Sequence, residues 1–264
     1  MARPKPAPAA LLRVWKAEGG LAVLLAFILV NVFVLGPLRD VGVLGHLSLA
    51  IVFALILISG VVATASSRGL VIFFTIVVVI TQVVHWVNWY DPSSSLLMRL
   101  SDITASLIAV ALLAGLITVQ VFREGPVTYN RIFGAITVYL LIGMMFEFAY
   151  TGVNLLLPNA FGNSAPMPGD TTAPASFLYF SLSTLTTVGY GDIIAVHPIA
   201  RSLANLESLI GQMFPAVLLA RLVSMELYYR QRSFEREQAE LDRRAIAREI
   251  ARLLKDEGRE KERR

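Results

Sequence analysis

Residues 175–192 read Ala175-Ser176-Phe177-Leu178-Tyr179-Phe180-Ser181-Leu182-Ser183-Thr184-Leu185-Thr186-Thr187-Val188-Gly189-Tyr190-Gly191-Asp192. The stretch from Ala175 to Thr187 is apolar or hydroxylated, carries no charge, and follows Pro174, a residue suited to the first turn of a helix. It is too short to cross a hydrocarbon core of ~30 Å, which takes ~20 helical residues. A half-length helix dipping into a membrane fits it, and it runs straight into Gly189-Tyr190-Gly191. Non-helical backbone at membrane depth is tolerated only where protein or water meets its polar groups, so the question is what these groups face. A cation is a good answer. Carbonyl oxygens are hard, uncharged ligands that replace an alkali ion's water without trapping it, and glycine permits the angles that turn successive carbonyls to one side. The half-helix aims its negative C-terminal end the same way.

Outward from this stretch the chain is a membrane sequence. Its 264 residues are 56% hydrophobic and 16% charged, against ~25% charged for a soluble domain. Apolar runs at about 20–38, 43–66, 69–90, 103–122, 132–157 and 199–228 each approach or exceed a spanning length. We therefore expect an all-α membrane protein of six transmembrane helices, with the re-entrant pore helix and its loop between helices 5 and 6. A cleavable signal peptide over 1–38 fits less well, because the apolar run exceeds the usual ~7–15 residues and Gly36-Pro37-Leu38-Arg39 is a poor cleavage site. With the N-terminus inside, the cytoplasmic side receives 20 of the 23 Lys and Arg, and the outer side only Arg39, Arg99 and Arg201. Both termini then lie in the cytoplasm of a multi-pass protein of the cell membrane. The expected domains are a cytoplasmic N-terminus 1–18, a four-helix membrane domain 19–122, a linker 123–130, a pore domain 131–228 and a charged helical tail 229–264. Pro158 to Asp170, dense in Pro, Gly and Asn, reads as an exposed loop.

Charge and cysteine content exclude other classes. Of the 23 Lys and Arg, 12 lie after Tyr229 interleaved with nine Asp and Glu, a salted tail rather than a nucleic-acid surface. There is no cysteine, which removes disulfides, thiolate nucleophiles and Cys-ligated metals. Neither Gly-x-Ser-Gly nor paired aspartates occur within the spans, so an intramembrane hydrolase lacks its groups.

Thr184-Leu185-Thr186-Thr187-Val188-Gly189-Tyr190-Gly191-Asp192, between two full spans, resembles the selectivity filter of potassium channels, a motif whose ion-selection chemistry is well worked out for that family. The chain is similar to six-transmembrane channels of the voltage-gated-like superfamily, of prokaryotic type, and 131–228 carries the likeness. The resemblance implies that the backbone carbonyls of Thr187, Val188, Gly189 and Tyr190, with the Thr187 hydroxyl, ligate K⁺, while Gly191 completes the loop. One chain holds one copy of the motif, so a homotetramer with cyclic symmetry is implied. Four copies of Asp192 would give the outer mouth a negative field, to which Asp170 could add, although Asp170 reads better as an ordinary loop charge. No cofactor is implied, K⁺ being the permeant ion; the partners are three further copies and the lipid bilayer, with no nucleic acid and no regulatory ligand identified.

Departures from the family pattern matter. Many members carry paired tryptophans where this chain has Tyr179 and Phe180, and some a glutamate where it has Ser183; these three are the filter's expected supports. Tyr179 retains a hydroxyl able to hold Asp192, or both aromatics fill space between helices. Gly211 lies 22 residues beyond Gly189, where the family has a hinge glycine, and Pro215 follows one turn later. Close helix packing through Gly211 is the alternative to a hinge. Residues 103–122 contain no Lys or Arg, so the first four helices lack the charges of a voltage sensor, each worth about 2.3 kcal/mol per 100 mV. Weak or absent voltage gating is expected.

Remaining polar residues have milder readings. His46, Gln82, His85, Asn88 and Glu147 fit interhelical hydrogen bonds, and Glu207 and Arg201 fit braces of the pore helix or pairs across subunits. Ile246, Ile250 and Leu253 give under two heptads, so the tail reads as a solvated helix rather than a coiled coil. A K⁺ transporter would repeat the motif four times in one chain. A nonconducting subunit that modulates other channels remains the rival to distinguish.

Overall fold

The computed structural model describes residues 20–36, 38, 46–64, 68–90, 95–123, 128–163 and 174–262. Asp170, the 124–127 break and the N-terminal 19 residues fall outside them, as do the side chains of His46, Arg68, Ile250 and Leu253. The order is α1 (Gly20–Val30), a π-helical turn (Asn31–Leu35), α2 (His46–Thr64), α3 (Arg68–Tyr90), α4 (Leu96–Phe122), α5 (Tyr129–Leu156), β1 (Phe161–Asn163), α6 (Pro174–Leu185), β2 (Ile193–Ala195) and α7 (Pro198–Glu262). Among the described residues, four stretches are long and apolar enough to cross a membrane: Gly69–Asn88, Leu96–Phe122, Tyr129–Leu156 and Pro198–Arg232. The runs expected at 20–38 and 43–66 correspond to the shorter apolar helices Gly20–Leu35 and Ile51–Val61. Together these helices support a multi-pass, mainly helical membrane protein.

The described residues up to Leu218 make one compact unit, and those from Leu219 onward belong to a second. In the first, α1 and α4 pack on α5, and α2 packs on α1 and α4, through Leu24, Ile28, Ile56, Val110, Leu113, Ile117 and Leu141, all nearly or wholly buried. Small residues let the helices close: a Cβ on Gly60 would stand 2.5 Å from Leu113, and one on Gly134 2.8 Å from Val121. The polar residues of α3 and α4 bond between helices as expected. His85 Nδ1 lies 3.2 Å from Asp102 Oδ2, and Asn88 donates to the same carboxylate at 3.2 Å. Ser95, in extended backbone, caps α4 by accepting from the Met98 amide.

In the second unit α7 continues as helix to Glu262, with an i,i+4 pair of Arg230 and Glu226 at 2.8 Å. Ile246, counted on the apolar face of the tail, is exposed in the single chain.

Candidate functional site

The half-helix expected from Ala175 to Thr187 is α6, Pro174–Leu185, and Thr186 to Asp192 leave it as a loop. A helix ends with four carbonyls that have no intrahelical donor, and here each finds one. Leu182 O receives the Thr186 amide at 3.0 Å, and Ser183 O receives both Val188 N–H at 2.9 Å and Gly189 N–H at 3.1 Å. Thr184 O takes the Thr187 amide at 2.9 Å and the Ser208 hydroxyl at 3.2 Å, and Leu185 O takes the Tyr139 hydroxyl at 3.1 Å. The consequence lies on the other side of the loop. The amides of Thr186 to Gly189 are spent on α6, and among the described residues no donor is bonded to the carbonyls of Thr187, Val188, Gly189 or Tyr190.

The loop's backbone has a two-residue rhythm: φ is +60° at Thr187, +56° at Gly189 and +79° at Gly191. In a chain with all φ negative, successive extended carbonyls point to opposite sides. Reversing φ at every second residue turns them to a common side. Glycine adopts the left-handed region freely, whereas a β-branched residue there is strained, by about 1–3 kcal/mol. Thr187 is that strained residue, which composition does not reveal, and its hydroxyl accepts from Gln212 Nε2 of α7 at 3.4 Å.

Beyond the loop, the chain is anchored again. β2 pairs antiparallel with β1, Phe161 opposite Ala195 and Asn163 opposite Ile193, and the Val196 amide donates to Ala160 O at 2.9 Å. Asp192 is fixed by the Ile193 amide at 2.9 Å, and the Tyr179 hydroxyl lies close enough to interact with its carboxylate. The Tyr179 ring stacks on Tyr190, centroids 5.9 Å apart and planes within 10°. Phe180 is different. It is buried against Tyr150 and Phe161, with centroids at 5.0 and 5.6 Å, and fills space. Ser183 is buried too, and its role lies in its backbone carbonyl rather than its side chain.

Gly211 of α7 presses on the end of α6: a Cβ there would stand 1.9 Å from the Leu185 carbonyl oxygen. Glycine is therefore required for contact at this position. The helix runs unbroken through Gly211 and Pro215. Glu207, Ser208, Gly211 and Gln212 form one face of α7 that meets α6 and the loop. On this face the sequence singled out Gly211 as a hinge candidate and Glu207 as a brace of the pore helix, a reading its contact with Ser181 fits, and it missed Ser208 and Gln212; the i, i+1, i+4, i+5 spacing of small and polar residues was the available signal. Arg201 donates from Nε to Ala195 O at 3.1 Å and so braces β2 rather than the pore helix.

Residues 132–227 match the family described as Ion channel. The chain is 34% identical over 79 residues to the inward rectifier potassium channel Kirbac3.1 of Paramagnetospirillum magnetotacticum, covering 30% of this chain and 24% of that protein. It is 39% identical over 89 residues to the two pore potassium channel c of Oryza sativa subsp. japonica, covering 34% of this chain and 17% of the relative. The chain thus spans about a quarter or less of the lengths of these relatives. No solved structure gives a significant match. The matched segment is the one built from α5, the loop and the membrane part of α7.

Proposed function

We propose that the chain is one subunit of a homotetrameric, potassium-selective channel that conducts K⁺ passively, without catalysis or cofactor. The observation that carries this is the loop 186–192, whose Thr186 to Gly189 amides are bonded to the end of α6 and whose φ is positive at every second residue from Thr187 to Gly191. Those two features leave a column of carbonyls at Thr187, Val188, Gly189 and Tyr190, with the Thr187 hydroxyl at its base. A cation entering the column exchanges water for peptide oxygen at little net cost, which selectivity together with flux requires. One chain offers a quarter of each oxygen ring. Val188 and Tyr190 are 54% and 70% exposed in the single chain, apolar surface that three further copies around the axis would cover. Four Asp192 carboxylates would draw cations to the outer mouth.

In this reading six helices span the cell membrane, α6 enters it without crossing, and both termini lie in the cytoplasm. The relatives' printed names, a potassium channel in each case, support the ion. With no Lys or Arg over 103–122, voltage has little charge to move.

Reversal potentials of the purified chain in planar bilayers, K⁺ on one side and Na⁺ on the other, test the proposal. A potential near the K⁺ equilibrium value is expected, and open probability that changes weakly with voltage. Equal passage of Na⁺ overturns selectivity, steep voltage activation overturns the gating statement, and a silent bilayer from intact tetramers favours a modulatory subunit.

A further inference from the structure

One buried carboxyl lies outside the ion path. Glu207, in the outer part of α7, is fully buried and is held by two hydroxyls. Tyr150 of α5 donates to Oε2, and Ser181 of α6 stands 2.5 Å from Oε1. Ser181 Oγ is also 2.8 Å from the Gly143 carbonyl of α5. A serine hydroxyl has one hydrogen, while a carboxylate and a peptide carbonyl only accept. With Glu207 ionised, one of the two Ser181 contacts would therefore bring lone pairs face to face.

A proton on Oε1 removes the conflict. Tyr150 O–H donates to Oε2, Glu207 Oε1–H donates to Ser181 Oγ, and Ser181 O–H donates to Gly143 O. Each hydrogen is then used once. The surroundings agree, since an uncompensated buried carboxylate is far more costly than a neutral acid. From α5 the carboxyl is faced by Tyr150, and the other titratable group of α5 near it is Tyr139, whose hydroxyl is committed to Leu185 O. From α6 it meets Ser181, which does not titrate. On α7 itself, the nearest preceding cation is Arg201, bound to Ala195 O. Among the described residues no Lys or Arg is a partner of Glu207.

We propose that Glu207 is held as the neutral acid and is the hydrogen-donating link of a clamp joining α5, α6 and α7 behind the filter loop. Glu207 is a positioning residue. Ser181 lies two residues before Ser183, whose carbonyl fixes the Val188 and Gly189 amides, so the clamp sets where the loop starts. Loss of the proton leaves Ser181 one hydrogen for two acceptors, so the support weakens as pH rises. The word filter rests on the channel reading; the protonation of Glu207 does not.

Infrared absorption of the full-length purified protein at neutral pH, wild type against Glu207→Gln, tests the clamp. The carbonyl stretch of a protonated carboxylic acid is expected in the wild type and absent from the variant, and it should fade at alkaline pH together with the wild-type melting temperature. Glutamine, with one accepting and one donating end, should keep the assembly and abolish that alkaline sensitivity. A carboxylate band in place of the acid band overturns the proposal, as does equal alkaline sensitivity in both proteins. If Glu207→Gln fails to assemble, Ser181→Ala serves: the acid band should move to higher frequency on losing its acceptor, and its absence or constancy overturns the clamp. None of these readings needs current, so an acid band in a protein that passes no K⁺ would sink the channel reading and leave the clamp in place.

Discussion

The four leading helices and the segment from α5 to Leu218 of α7 share one compact unit and are held together by different physics. In α1 to α4 the core contacts are apolar side chains and small residues, each helix closing its own backbone hydrogen bonds, with polar contacts that include those of His85 and Asn88 to Asp102. Around α6 the backbone itself is the structure: four terminal carbonyls, four loop amides and a two-stranded ribbon determine where every residue sits. A region that packs side chains tolerates exchange of like for like. One that satisfies backbone groups one by one tolerates little, because a lost partner strands a buried polar group at ~1–3 kcal/mol.

The sharpest way to break this contrast is a matched pair of glycines. Gly211→Ala sets a methyl 1.9 Å from a backbone oxygen that cannot move without α6, so loss of the tetramer on size-exclusion chromatography is expected. Gly115→Ala, in α4 with nothing within 4 Å, should leave assembly intact and stabilise the helix by about 1 kcal/mol. Equal behaviour of the two would erase the distinction.

Gly189→Ala comes next. Space is open around it, so the cost is conformational, ~1–2 kcal/mol in each subunit for a side chain at φ +56°. Flux should vanish in bilayers while assembly persists, and undiminished current would count against the carbonyl column. Tyr179→Phe removes the hydroxyl that interacts with Asp192 and keeps the stacked ring. A loss of ~1 kcal/mol is expected, visible as faster decline of current under sustained recording with unchanged selectivity. The smallest effect belongs to the leading helices. Asp102→Asn weakens the partly exposed contact to His85 by ~0–1 kcal/mol and should leave K⁺ selectivity untouched.

Much of this was legible in residue order. The length of the 175–187 run, the proline before it and the glycines after it prescribed a short helix followed by an irregular loop, because those features act locally. The relation of Gly211 to its surroundings was not legible. A glycine in a long apolar helix fits a hinge and a contact equally, and the choice depends on the Leu185 carbonyl, 26 residues away. Tyr179 and Phe180 are adjacent aromatics, yet one faces the loop and the other the core, since a helix turns about 100° per residue and only packing says which face is which.

By itself, then, the sequence determined the membrane character, the half-helix and the loop, all set by composition and by the reach of a few neighbouring residues. Tertiary structure decided which atoms meet: the strained Thr187, the Glu207 link and the α7 face against α6. These are pairings between groups far apart in the chain, and hydrogen-bond partnership at such separations is fixed by three-dimensional packing rather than by local propensity.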